Sequence, residues 1–267
     1  MWLSPLPHLM IALLTDTVSA DLGRSLRYLL LWGLDGVVLR VVGGESRRVP
    51  HVNEAQVRHR LAEDELPLMA VDPGILMGAV EERADWLNDL TSLPESVAFC
   101  KRHACRRIIA ECLPESADPN AAVIALRRAA DEVEKDAIVL CVRPTGWASA
   151  PSGLDLLHSA ASGSAMRLLW DPAAYVEAGG RLSDAPISCI TPHIEMVVVR
   201  DVDESGGMVD VVPGDGRLKW DRHIHDLTLS GFDGPWVLEV RSERPAKQGL
   251  KHADALIRMI KDAKRAV

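Results

Sequence analysis

Residues 195–241 read EMVVVRDVDESGGMVDVVPGDGRLKWDRHIHDLTLSGFDGPWVLEVR, and this stretch decides the fold of the chain. The apolar run 196–199 predicts a buried strand, the amphipathic run 218–229 predicts a helix, and the apolar run 236–240 predicts a second buried strand. The glycine-rich residues 213–216 predict a turn before the helix. Two buried strands joined by a helix are normally parallel, because the helix returns the chain to the same end of the sheet.

The same unit of strand and helix repeats along the whole chain. GLDGVVL at 33–39 recurs as GFDGPWVL at 231–238, as expected of a repeated unit. About eight repeats in 267 residues suit a (β/α)8 barrel. We therefore predict an α/β fold with a single TIM barrel domain over residues 1–267. The predicted strands are residues 9–14, 33–41, 66–71, 107–112, 137–142, 167–170, 196–199 and 236–240.

Several helix boundaries can be predicted from single residues. Asn53 predicts an N-cap, and the pair Asp118–Pro119 predicts a helix start with proline in the first turn. Pro94 predicts an interruption in the long helix 81–102. The helical pattern of residues 183–191 is weaker.

Composition excludes some classes of function. The formal net charge of −8 gives no basic surface for nucleic acid, so we expect no nucleic-acid partner. No apolar run reaches the roughly 18 residues that span a membrane. The apolar opening, residues 1–14, lacks a basic leader and contains two prolines, so we interpret it as the first strand rather than a secretion signal. The five cysteines form no CxxC pair and are typical of buried, reduced thiols in a cytoplasmic protein.

Charged residues stand at the ends of otherwise apolar predicted strands. In a (β/α)8 barrel the carboxyl ends of the strands converge on the site. Charges there are unfavourable unless they pair with each other or bind something. They could form a ring of ion pairs that closes the barrel mouth, or a ligand site, and an outward orientation would also explain Arg40 and Asp201. The residues are Arg40, Glu111, Arg143, Asp171, Arg200, Asp201, Glu239 and Arg241.

Three motifs together resemble a known family. VVVRDVD at 197–203, the GDG-x-x-x-W turn at 214–220 and GFDGPWVLEV at 231–240 resemble the last two strands of the xylose isomerase-like barrels. This superfamily contains sugar isomerases, epimerases and endonuclease IV enzymes. The resemblance implies a (β/α)8 barrel that acts on a small-molecule carbohydrate, and the acidic composition argues against the endonuclease branch.

The resemblance also implies a divalent metal at the barrel mouth. Its ligands in the family are a glutamate of strand five, an aspartate of strand six, a histidine of strand seven and a glutamate of strand eight. Asp171 and Glu239 match the aspartate and the last glutamate. Arg143 stands in place of the first glutamate, and Val198 in place of the histidine. The ligand set is incomplete, so we predict no metal cofactor.

Arg143 suggests what replaces the metal. A guanidinium cannot coordinate a cation, but its planar fork can bond Asp171 or Glu239 in bidentate fashion. At ~4 Å and an effective dielectric near ~20, such a pair gains about 4 kcal/mol before desolvation. We therefore hypothesise that Arg143 supplies the counter-charge at the mouth.

Different functions remain open. The chain could be a non-catalytic barrel that binds a carbohydrate. It could instead be a metal-independent isomerase or epimerase with Glu239 as base and Arg143 as electrophile. Asp171 is the third predicted catalytic residue. An ordinary metal isomerase remains possible if the motifs are misaligned. The predicted substrate contacts are Glu111, Arg200, Arg241, Trp147 and Trp220.

Other motifs carry weaker signals. His223 and His225 are two residues apart on a predicted helix, so they cannot chelate one ion, and we expect a solvated face. The pairs Gly206–Gly207 and Gly214–Gly216 lack the spacing of a phosphate-binding loop and predict turns. For Trp170 we favour core packing.

Overall fold

The computed structural model describes residues 10–43, 47–203 and 211–266. Eight parallel strands close into a barrel in which each strand pairs with its neighbours in the sequence, and the last pairs with the first. This confirms the predicted (β/α)8 fold. The barrel strands are β1 Ile11–Leu14, β2 Gly36–Leu39, β3 Leu68–Val71, β4 Arg107–Glu111, β5 Val139–Arg143, β6 Met166–Trp170, β7 Ile194–Val199 and β8 Trp236–Leu238.

Helices surround the barrel. A small antiparallel hairpin, Val41–Val42 with Arg47–Arg48, follows β2. The helices are α1 Leu22–Leu31, α2 Glu54–Glu63, α3 Arg83–Arg102, α4 Pro119–Glu134, α5 Pro151–Ala161, α6 Pro172–Glu177, α7 Ile187–Ile190, α8 Trp220–Leu229 and α9 Pro245–Ala266. Within the described residues, none is both long and apolar enough to cross a bilayer.

The predicted helix starts are confirmed. The side chain of Asn53 accepts from the N–H of Gln56 at 3.2 Å, and that of Asp118 accepts from the N–H of Asn120 at 3.0 Å. These contacts satisfy N–H groups that have no partner inside a helix. Pro119 occupies the first helical position of α4.

Two helix predictions were wrong. Helix α3 runs through Pro94 without interruption. Leu93 and Val97, on either side, are buried against the core, and this packing offsets the hydrogen bond that proline cannot make. Residues 183–191 do not form one helix, because the chain there makes a 3-10 turn, the one-turn α7 and a second 3-10 turn. The short helix α6, directly after β6, was not predicted.

The expectation that His223 faces solvent was also wrong. Its side chain lies on the buried face of α8, and the residue is 4% exposed. The indole Nε1 of Trp170 donates to its Nε2 at 2.9 Å, and Trp170 is itself fully buried, as predicted. His225 is half-buried. Amphipathic periodicity indicated a helix here but did not identify the histidine on its inner face.

The cysteines of the chain are free thiols. Cys100, Cys105, Cys112 and Cys141 are buried, and Cys189 is exposed. Two predicted features, the beginning of the first strand before residue 10 and the pair Gly206–Gly207, lie outside the described residues.

The interior of the barrel is a packed layer. Alternate side chains of each strand point to the barrel axis, where they form a cluster separate from the larger core between strands and helices. The next inward-facing residue of each strand stands at the mouth. The inner cluster contains Ala12, Leu14, Val38, Met69, Ala70, Ile109, Cys141, Leu169, Met196, Val198 and Val237.

Candidate functional site

Each of the eight barrel strands contributes one charged residue at the mouth. Every one of them lies two residues beyond a member of the inner cluster, and this spacing returns the side chain to the barrel axis. The charged ring consists of Asp16, Arg40, Asp72, Glu111, Arg143, Asp171, Arg200 and Glu239. Sequence reasoning singled out six of these and missed Asp16 and Asp72. The two-residue period from Leu14 and Ala70 would have found both.

Arg143 joins the sixth and eighth strands. Its Nη2 donates to Asp171 at 2.6 Å and to Glu239 at 2.9 Å, and its Nε donates to Asp171 at 3.2 Å. Burial opposes its charge, but the surrounding carboxylates raise the pKa of Arg143 above its usual value. The guanidinium is therefore a fixed positive charge, in contact with the two carboxylates that the sequence indicated.

Asp171 receives two guanidinium groups. Besides Arg143, Arg200 donates to the same oxygen from Nε and Nη2, each at 3.2 Å. The other oxygen accepts from the N–H of Ala174 at 3.0 Å and so caps α6. Burial alone would raise the pKa of Asp171, but the two guanidinium groups lower it to about 2. Arg200 also forms a bidentate pair with Glu177, at 3.0 and 2.9 Å.

Glu239 has a charged partner on each oxygen. One accepts from Nη2 of Arg143 at 2.9 Å, and the other accepts from Nε of Arg241 at 2.6 Å. Burial opposes ionisation, yet Arg143 and Arg241 together lower the pKa of Glu239 below its usual value. A carboxylate held in this way is a weak base.

Glu111 is in the opposite situation. Burial raises the pKa of Glu111, and this effect outweighs the nearby charge of Arg143 and a hydrogen bond from the hydroxyl of Thr145 at 2.9 Å. Glu111 and Arg143 are direct partners in the register between β4 and β5. Glu111 is therefore a more basic carboxylate than Asp171 or Glu239.

The outward orientation that would have explained Arg40 and Asp201 is wrong for Arg40, whereas Asp201, one residue after the inward-facing Arg200, points away from the barrel axis. Nε of Arg40 donates to Asp16 within the ring at 2.8 Å. Asp201 is 4% exposed, and its carboxylate accepts four backbone N–H groups at 2.8 to 3.2 Å. The donors belong to Val202, Gly214, Gly216 and Leu218, so Asp201 holds the predicted glycine turn. A Cβ at Gly216 would lie 2.4 Å from its Oδ1.

A cavity of about 590 Å³ opens beside the ring. Four ring members line it together with residues of the following loops and of α6, of which sequence reasoning missed Thr145, Ser149 and Glu177. The lining is Glu111, Arg143, Thr145, Gly146, Ser149, Asp171, Ala174, Glu177, Ala178, Arg200 and Arg241.

Neither predicted aromatic contact lines this cavity. Trp220 is fully buried, and its Nε1 donates to the carbonyl of Arg200 at 3.1 Å, so no face of its ring can stack on a ligand. That prediction was wrong. Trp147 is half-buried against the core, and its Nε1 donates to the carbonyls of Cys112 and Leu113 at 3.2 and 3.1 Å. Its indole therefore connects the loop after β5 to the loop after β4.

A closed parallel barrel with its polar cavity at the carboxyl ends of the strands defines the class of protein. The sequence profile of the xylose isomerase-like TIM barrels matches residues 26–262, and the chain belongs to this family. No curated protein matches the chain.

Solved structures share the fold at low sequence identity. A xylose isomerase domain protein from Alicyclobacillus acidocaldarius has a TM-score of 0.74 at 18% identity, over 96% of this chain and 100% of the other. An L-ribulose 3-epimerase has a TM-score of 0.74 at 16% identity, over 97% of each chain. A xylose isomerase-like TIM barrel protein from Mycobacterium smegmatis, in complex with magnesium, has a TM-score of 0.71 at 10% identity, over 96% and 97%.

The residues at this mouth do not fit a divalent metal. The guanidinium of Arg143 already bridges Asp171 and Glu239, and a cation between them would have to displace a buried positive charge. Val198, at the position of the expected histidine, packs in the inner cluster. Within the described ranges, no group of three histidine, cysteine, aspartate or glutamate side chains is arranged to hold an ion.

Proposed function

We propose that this chain is a carbohydrate-binding barrel in which Arg143 supplies the counter-charge that a metal ion supplies in related isomerases. The contact of one guanidinium with both Asp171 and Glu239 carries the proposal. The two carboxylates neutralise the buried cation, so the ring is stable without an ion. The function that follows is ligand binding rather than metal-assisted isomerisation.

The cavity lining favours a small polyhydroxylated ligand. Carboxylates of Glu111 and Glu177 accept hydrogen bonds, guanidinium groups donate them, and the hydroxyl of Thr145 can do both. Three arginines and three carboxylates line the cavity, so their formal charges cancel. A neutral sugar fits this balance. A sugar acid would place its carboxylate near Arg241, whose side chain is 34% exposed and is the most accessible of the three arginines.

Calorimetric titration of the full chain with pentoses, hexoses, aldonates and uronates tests this proposal. The chain is first treated with a chelator and dialysed. We expect binding at micromolar to millimolar concentrations that is unchanged by chelator, and about tenfold weaker sugar-acid binding in Arg241→Met. Arg244→Met, at an exposed arginine three residues away, is the matched control. The absence of any binding at 10 mM ligand, or binding only after metal is added, would contradict the proposal.

Glu111 gives a second candidate function. The metal-independent isomerase needs a base, and Glu239, the base expected from the sequence, has a lowered pKa. Glu111 lines the same cavity with a raised pKa and faces Arg143 across one strand pair, so it is the better base. Such an enzyme would remove a proton next to a carbonyl group of the sugar.

Proton exchange separates the two candidates. Each ligand found by calorimetry is incubated with the chain in D₂O, and NMR follows deuterium at the carbon beside the carbonyl. A pure binding barrel gives no exchange above the buffer. An isomerase gives exchange that Glu111→Gln abolishes while binding remains. We place either function in the cytoplasm, in keeping with four buried free thiols.

A further inference from the structure

A second cavity lies on the other side of α6. It is a surface groove of about 590 Å³ between the segment 180–188 and α8. Helix α6 contributes Ala174 and Glu177 to the mouth cavity and Val176 to the groove, so the two cavities are separate. Nothing in the proposed carbohydrate function uses this groove.

The groove is cationic on a chain whose net charge is −8. Arg181, Arg217, Lys219 and Arg222 line it, against one lining carboxylate, Asp226. Arg181 pairs with Asp184 at 3.0 Å, and Arg222 lies 3.7 Å from Asp226. Arg217 and Lys219 are exposed and have no ion-pair partner within residues 10–43, 47–203 and 211–266. Lys219 also precedes α8, whose N-terminus has no side-chain cap and therefore attracts anions.

His223, which lines the groove, presents a hydrogen-bond donor to it. An indole nitrogen is only a donor, so the Nε2 of His223 that accepts from Trp170 carries no proton. The neutral ring must then carry its proton on Nδ1. This Nδ1–H has no partner in the described part of the chain, although the residue is only 4% exposed. A ligand in the groove can accept a hydrogen bond from this Nδ1–H.

The rest of the lining is apolar. Val176, Leu182 and Ile187 form one side, and Leu229, which is 58% exposed, lies on α8. Covering a leucine that is exposed to this extent is favourable, because it removes apolar surface from water. The groove therefore combines a cluster of cations with an apolar wall.

We propose that this groove binds a phosphate monoester that carries an apolar body. Arg217, Lys219 and Arg222 pair with the phosphate oxygens, and Nδ1–H of His223 donates to one of them. The apolar wall covers the body of the ligand. A phosphate fits better than a carboxylate, because its three oxygens and nearly double charge can use several cations at once.

Phenyl phosphate is the probe for this site. The ring of His223 contacts Trp170 and Trp220, so binding should change tryptophan fluorescence, and calorimetry gives the affinity independently. We expect phenyl phosphate to bind more tightly than inorganic phosphate and much more tightly than phenol. Its affinity should fall as salt is added. Equal binding of phenol and phenyl phosphate, or no binding of phenyl phosphate at 10 mM, would overturn the proposal.

Charge-reversal variants locate the site. Lys219→Glu combined with Arg217→Glu should weaken phenyl phosphate binding by at least about tenfold, because two attractive charges become repulsive. Lys261→Glu, at an exposed lysine of α9, is the control and should bind like the unchanged chain. Arg241→Met, at the mouth, should also leave phenyl phosphate binding intact. If Arg241→Met weakens binding and the groove variants do not, the phosphate binds at the mouth and the groove is not the site.

Discussion

Nη2 of Arg143 lies 2.6 Å from a carboxylate oxygen of Asp171, a side chain with no exposed surface. The same nitrogen reaches Glu239 at 2.9 Å, so one side chain connects three barrel strands at their carboxyl ends. An arginine that only closed the mouth could form an exposed pair with a single carboxylate. This one bonds two buried carboxylates at once, which makes it the organising charge of the ring.

Replacing Arg143 by methionine should destabilise the chain by about 3–5 kcal/mol, because two buried carboxylates each lose one of their two guanidinium partners. Urea unfolding measures this free energy. Arg128→Met, at an exposed arginine of α4, should change it by no more than about 0.5 kcal/mol. Equal values for the two variants would show that the Arg143 contacts contribute little.

Arg143→Glu should create metal affinity. Three carboxylates would then surround the space of the guanidinium, and Mn²⁺ or Mg²⁺ is the natural counter-charge for them. At a hundredfold excess over Kd, a metal should stabilise this variant by about 3 kcal/mol, seen as a rise in Tm. The unchanged chain and Arg128→Glu should show no such rise. A rise in the unchanged chain as large as in the variant would mean that the mouth binds metal with Arg143 in place.

Asp171 should make stability depend on pH in acid. Its pKa is about 2 in the folded chain against 3.8 as the ordinary value. Its contribution is therefore complete above about pH 4 and is lost as the pH falls towards 2, by about 2 kcal/mol in total. The difference in unfolding free energy between the unchanged chain and Asp171→Asn should shrink across that window. A difference that stays constant with pH would contradict the lowered pKa of Asp171 in the folded chain.

His223 should make stability depend on pH in a higher range than Asp171 does. Burial lowers its pKa to about 4 from 6.5. The unfolded chain then binds the proton first, so stability is complete above about pH 6.5 and is lost as the pH falls towards 4, by about 3 kcal/mol. His223→Gln, which can still accept from Trp170, should flatten this part of the curve, whereas His59→Gln, at an exposed histidine, should not. Titration of His223 near pH 6.5 by NMR would refute the assignment.

The fold and most of the charged ring were predictable from the sequence. Apolar strand-like runs separated by helical patterns repeat along the chain, and this repetition predicted the closed barrel. Six ring members, including Arg143, Asp171 and Glu239, follow apolar runs directly. Asp16 and Asp72 obey the same two-residue spacing, so their omission was a failure to apply a local rule rather than missing information.

Other properties depend on contacts that the sequence does not display. Asp201 binds a turn that ends 17 residues later, and Trp220 lies under the backbone of Arg200, 20 residues before it. Both residues lie near predicted strand ends in the sequence, as site residues do. Neither of them lines the cavity at the barrel mouth. His223 occupies the inner face of α8, which is fixed by the packing of Trp170.

The sequence by itself determined the barrel and which charges stand at its mouth, because strand periodicity and helix amphipathicity are set by residues a few positions apart. Only the tertiary structure decided how those charges pair and which carboxylate keeps its proton more readily. Arg143 and Glu239 are 96 residues apart in the chain, and their contact leaves Glu239 a weak base while burial raises the pKa of Glu111. Acidity depends on the distance between charges and on their burial, and both exist only once the barrel has closed.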